Sequence, residues 1–173
     1  MVMFTADYAN QSEMGWSIVE IMIVIAMIGI LASLIFPTIT SYQYYGRDAE
    51  RASDVESIAR AFEISYLRDA PSGGPTYPNT TRATTFSGYT SLFQGQDLSI
   101  TKAPGTTSTT SIIAANNTTQ PQSPTIDQYV YLPLTATGTL CNATTTCVRF
   151  LLYYRVENAN GDSVRVIESV RQQ

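Results

Sequence analysis

The chain has 173 residues, a formal net charge of -4 and no histidine. That length suits one membrane segment plus one modest globular domain, and the missing histidine argues against imidazole acid–base catalysis and His-ligated metal sites. Charged residues make up only 14% of the chain, and Ser, Thr and Asn crowd its middle, a composition suited to an extracellular face.

The first element is Trp16 to Phe36, twenty-one residues with one charge, Glu20, and Pro37 directly after. As a helix this run rises roughly 32 Å, enough to cross a bilayer core. A lone carboxylate there costs about 2.5–3.5 kcal/mol on insertion scales. No Lys, Arg or His lies within four residues of it. Its neutralising partner is expected from another chain or from a newly made amino group. Cleavage after Gly15 would create one, an α-amine on Trp16 with a pKa of about 8. The alternative is an ordinary signal anchor with Glu20 at the interfacial edge. No basic n-region precedes the run and no A-x-A site follows it, unlike a secretory signal.

The motif G-W-S-I-V-E from Gly15 to Glu20, with its apolar run and Pro37, resembles the processing site of type IV pilins and pseudopilins. The resemblance implies a leader at 1–15, cut by a prepilin peptidase between Gly15 and Trp16, and N-methylation of Trp16. It implies assembly through Glu20 into a helical homo-oligomeric filament whose core is the 16–41 helix. It also implies an inner-membrane assembly platform, storage in the bacterial inner membrane and final exposure on the cell surface. The leader departs from the usual pattern, since residues 1–15 hold Asp7 and Glu13 but no Lys or Arg. The first basic residues, Arg47 and Arg51, follow the span, against the positive-inside rule.

From Arg47 to Asp69, Ala52, Val55, Ala59, Phe62 and Tyr66 recur at three- and four-residue steps, with Ile58 widening the stripe. This predicts an amphipathic helix over 42–69. Glu50, Asp54, Glu56, Arg60 and Glu63 are read as its solvated face, with Glu56 and Arg60 as an i,i+4 pair. Pro37 is expected to kink or soften the joined helix. The stretch from Ala49 to Tyr66 and the T-Y-P-N-T at Thr76–Thr80 extend the resemblance to about residue 80.

Pro71, Gly73, Gly74, Pro75 and Pro78 end the helix. A Ser/Thr-rich loop region is expected over 70–127, with short helical pieces near Gly88 to Gln96. Asn79, Asn116, Asn117 and Asn142 match N-x-S/T, and O-linked sugars on the Ser/Thr runs are a further expectation. Strands are predicted at Gln128–Thr135, Cys147–Glu157 and Ser163–Val170, with a turn at Asn158–Asp162. The fold class is α+β: a long N-terminal kinked helix on a C-terminal antiparallel sheet of three to four strands over 128–170, the head spanning 42–173. Cys141 and Cys147 are expected to form a disulfide at a hairpin tip once exported.

No catalytic motif assembles, so no enzyme, cofactor or metal is expected. Asp48/Glu50 and Asp54/Glu56 are read as solvated carboxylates, and Asp97 and Asp127 are too isolated for a calcium loop. Arg149, Arg155, Arg165 and Arg171 suggest a weak nucleic-acid surface, interleaved with Glu157, Asp162 and Glu168. The expected function is a structural pilus subunit for adhesion, motility or DNA uptake. Alternatives are a pseudopilin of a type II-like secretion system, a minor tip pilin, or a membrane-anchored binding domain that never polymerises.

Overall fold

The computed structural model describes residues 15–68, 75–157 and 163–171, with backbone alone at 36–41 and 67–68. The chain is α+β, with one N-terminal apolar helix and a mixed four-stranded sheet. It divides into two compact units, residues 1–40 and 41–173.

The first unit holds the start of helix α1 (Ile18–Arg68). Its stretch Ile18–Ile35 is long and apolar enough to cross a membrane, and none of it is buried. The Ser33 hydroxyl donates to the Ile30 carbonyl at 2.7 Å, so this polar group needs no external partner. Helical backbone continues through Pro37.

In the second unit α1 contributes Val55, Ile58, Ala59, Phe62 and Tyr66 to the buried core, as the apolar stripe predicts. Phe62 is the hub: its ring centroid lies 4.6 Å from Tyr131, 5.6 Å from Phe150 and 6.1 Å from Phe93. Rings at these separations gain directional contacts beyond their buried area. The Glu56–Arg60 pair forms on the exposed face.

The expected loop region holds more order than its composition suggests. Asn79 caps α2 (Thr80–Thr84) by accepting from the Arg82 N–H, and Thr85 caps α3 (Phe86–Leu92) by accepting from the Gly88 N–H. A Cβ at Gly88 would sit 2.1 Å from the Arg82 carbonyl oxygen, so the two short helices meet there only over glycine. A 3₁₀ turn follows at Leu98–Thr101, capped by Asp97.

Strands β1 (Ile112–Ala114), β2 (Tyr129–Leu134), β3 (Arg149–Arg155) and β4 (Val164–Glu168) lie in that order across the sheet. The sheet is not wholly antiparallel, which corrects the sequence expectation. β2–β3–β4 form the antiparallel meander, but β1 runs parallel to β2, pairing Ile112 with Tyr129. A parallel neighbour needs a crossover of a dozen or more residues, and residues 115–128 supply one. The turn expected at Asn158–Asp162 lies outside the described residues.

All six residues of β2 are buried, although it contains Pro133. The register explains the proline. Tyr129 and Tyr131 turn their backbone toward β1, where the Ser111 and Ala115 groups pair with them. Pro133 follows at the same parity, beyond the last β1 partner at Tyr131, so its missing N–H breaks no ladder bond. One face of β2 and β3 joins the α1 core through Tyr129, Tyr131, Phe150 and Leu152. The other packs Val130, Leu132, Leu134, Leu151 and Tyr153 into a second small cluster with Ala115.

Candidate functional site

The predicted processing residues stand at the start of α1. An added Cβ at Gly15 would meet open space, and Trp16 is 72% exposed. Ser17 is placed as the residue before the helix. Its hydroxyl accepts from the Val19 N–H at 3.3 Å, and its own N–H donates to Glu20 Oε2 at 3.3 Å. Together these bonds form a variant of the capping box, with the hydroxyl accepting from the second helical N–H instead of the third, and they satisfy otherwise unpaired N–H groups at a helix start. The signal is present in the sequence as S-x-x-E, and the partner it supplies to Glu20 is a neutral N–H, not a cation. The Glu20 carboxylate therefore has a use within its own chain. It also sits where the helix dipole favours negative charge.

A second constellation joins α1 to the end of β3. Arg51 is buried (1% exposed), and its guanidinium donates to Asp48 Oδ1 at 2.8 Å, Glu157 Oε1 at 2.6 Å and the Ile126 carbonyl at 3.2 Å. Arg47 grips the same Glu157 carboxylate in a bidentate fork. Asp48 in turn accepts the Glu157 backbone N–H at 2.9 Å. The reading of Asp48 as a solvated carboxylate is corrected here: it is half-buried and shared between a guanidinium and a backbone N–H. Spacing offers Arg51 as an i,i+3 partner but not the Glu157 N–H, which comes from more than a hundred residues away in the chain.

The bonds from Arg47, with help from Arg51, hold the Glu157 carboxyl down at about 2, from an ordinary 4.5. Asp54 behaves oppositely. Burial pushes its carboxyl up to about 6 from 3.8, with the Glu50 charge adding to the rise, while the Tyr129 hydroxyl donates to it at 3.3 Å and pulls it down. Asp54 and Glu63 thus also depart from the solvated face expected of them. Glu63 accepts from the Tyr77 hydroxyl at 2.9 Å and from the Val170 N–H at 2.8 Å. Burial and the Glu63 hydrogen bond raise the Tyr77 phenol well above its usual range.

These opposed shifts predict a pH profile. The Glu157 contribution is complete above about pH 4.5 and is lost as pH falls toward about 2. A raised Asp54 holds its proton more tightly when folded, so stability falls as pH rises from about 4 to about 6 and then levels. In urea titrations across pH 2–8, Asp54→Asn is expected to abolish the decline between pH 4 and 6. The acid limb below pH 4.5 should remain in that variant.

Cys141 and Cys147 form the expected disulfide. Beyond closing its own loop, Cys147 exchanges backbone bonds with the segment after α1: its N–H donates to Thr76 Oγ1 and its carbonyl accepts the Tyr77 N–H at 2.9 Å. The four arginines considered for nucleic acid do not line one surface. Arg149 and Arg155 share a face of β3, whereas Arg165 pairs with Tyr154 on the opposite face. Arg155 is held by the Pro124 carbonyl and Ser163, and Arg171 stacks on the Tyr66 ring at 5.0 Å. Among the described residues, no three His, Cys, Asp or Glu side chains gather as metal ligands.

No family model, no curated protein and no solved structure matches this chain.

Proposed function

We propose that this protein is a structural filament subunit resembling type IV pilins, held in the membrane by its apolar helix and then assembled through it. One observation carries the reading. The stretch Ile18–Ile35 is apolar and wholly uncovered, and its single carboxylate lies five residues after Gly15. Such a surface requires lipid or other copies of itself around it. In lipid the exchange between the two is nearly balanced, because acyl chains are as apolar as leucine. Subunits can then enter or leave a fibre at small cost. Cleavage after Gly15 gives each subunit a cationic terminus for the Glu20 carboxylate of a neighbour, which fixes axial register. Pro37 softens the helix where the apolar run ends. The inner membrane is the store and the cell surface the destination, with a prepilin peptidase and an assembly platform as partners.

The test is the N-terminus of material isolated from cells. The expected mass begins at Trp16 and carries one added methyl group. Assembled fibres that retain residues 1–15 would sink the reading.

A second reading has its own support: a single-pass anchored domain that does not polymerise. The Ser17 N–H already gives Glu20 a hydrogen-bond partner within its own chain, so the carboxylate has a role at the helix start that needs no neighbouring subunit. Under this reading the N-terminal residues stay attached and the purified protein remains monomeric in detergent.

A further inference from the structure

Eleven tyrosines occur in the chain. Six of those described, Tyr66, Tyr77, Tyr89, Tyr129, Tyr131 and Tyr153, are buried, and Tyr154 is half-buried. The remaining three described are crowded into four positions and left open: Tyr42 is 74% exposed, Tyr44 43% and Tyr45 60%. We infer that Tyr42, Tyr44 and Tyr45 form an interfacial girdle that seats the globular unit against the phospholipid headgroup layer. The inference rests on the reading of the apolar helix as a membrane anchor, and it adds the surface by which the head meets the lipid.

Three observations support it. The first is chemical: a phenol has an apolar ring and a polar tip, and tyrosine concentrates where a bilayer changes from acyl chain to headgroup. The second is position. Tyr42 follows Phe36 by six residues, a rise of about 9 Å in helical spacing and at most about 20 Å in a fully extended chain. The two headgroup zones add about 10–15 Å to a hydrocarbon core of about 30 Å. One such zone is about 5–8 Å deep, so a helical span ending near Phe36 carries the Tyr42 backbone just past it, and a ring leaning back toward the helix N-terminus returns to the headgroup level. The third is attachment. The Arg47 guanidinium lies over the Tyr44 ring, 5.0 Å from its centroid, while its fork holds Glu157 at the end of β3. Tyr44 is thus tied to the globular unit through Arg47.

The experiment uses the full chain in vesicles of phosphatidylcholine and phosphatidylglycerol. Trp16 is the only tryptophan, so Trp16→Phe combined with Tyr44→Trp gives one reporter at the girdle. A second protein with Tyr42→Trp guards against disturbance of the Arg47 stack. Vesicles carry bromines either near the glycerol backbone or near the chain ends, and flotation establishes that the protein is in them. The expected result is blue-shifted emission with stronger quenching by shallow than by deep bromines at both positions. Water-like, unquenched emission in floated vesicles would overturn the girdle while leaving the anchor standing. Stronger quenching by deep bromines would also overturn it, placing these rings in the hydrocarbon. Protein that fails to float would remove the anchor reading and the girdle with it.

Discussion

Arg51→Ala is expected to destabilise the globular unit by about 2–4 kcal/mol, read as a lower urea midpoint at an unchanged slope. The cost comes less from losing a favourable pair than from what is left behind. Asp48 and Glu157 are mostly covered, and without Arg51 both carboxylates lose their buried guanidinium partner. The Ile126 carbonyl also loses its donor. A companion variant separates these effects. Arg51→Met with Asp48→Asn and Glu157→Gln removes the charges together and fills the space with an apolar chain. That combination is expected to recover most of the loss, because uncompensated charge, not absent attraction, is what costs stability. If Arg51→Ala unfolds at the same urea concentration as the parent, the cluster is not the joint between α1 and β3 that its geometry indicates.

Glu20→Ala is expected to leave the protein inserted in membranes and to abolish almost all fibres. An unpaired carboxylate among apolar helices costs about 2.5–3.5 kcal/mol, which is the preference for correct register that alanine removes. Because Glu20 also closes the capping box, the variant alone does not separate assembly from helix capping. Ser17→Ala does. It deletes the hydroxyl acceptor of the Val19 N–H, a loss of about 1 kcal/mol, and keeps the carboxylate. Fibres counted by electron microscopy should persist on Ser17→Ala and vanish on Glu20→Ala. Equal loss on both would make capping the reason for Glu20, and normal fibres on Glu20→Ala would remove its role in assembly.

Periodicity made the amphipathic half of α1 and the meander legible, because a helical stripe and alternating strands each repeat within a few residues. Val55, Phe62 and Tyr66 fall in the core where spacing put them. Strand β1 escaped notice because S-I-I-A-A offers only three residues of pairing, and its partner lies beyond a long crossover. The caps of α2 and α3 were equally local, as Asn79 and Thr85, but the surrounding Ser/Thr density masked them. Arg51 shows the opposite limit. Its helical phase is that of the core stripe, one turn before Val55 and two before Ile58, but a guanidinium can be buried there only because the fold brings Glu157 to it. The exposed tyrosines lay in plain view as Y-Q-Y-Y, yet their meaning required knowing that nearly every other described tyrosine is interior.

The bridge between Cys141 and Cys147 reaches further than the short loop it closes. Cys147 holds the Thr76 hydroxyl and the Tyr77 N–H through its main-chain groups, and the Tyr77 ring lies 4.6 Å from Tyr66 and meets Phe150 edge-on at 5.0 Å. Thiol oxidation thereby reports on the seating of an aromatic side chain far away in sequence. The bridge and the aromatic corner are thus one connected unit, and reduction of the disulfide is expected to loosen both.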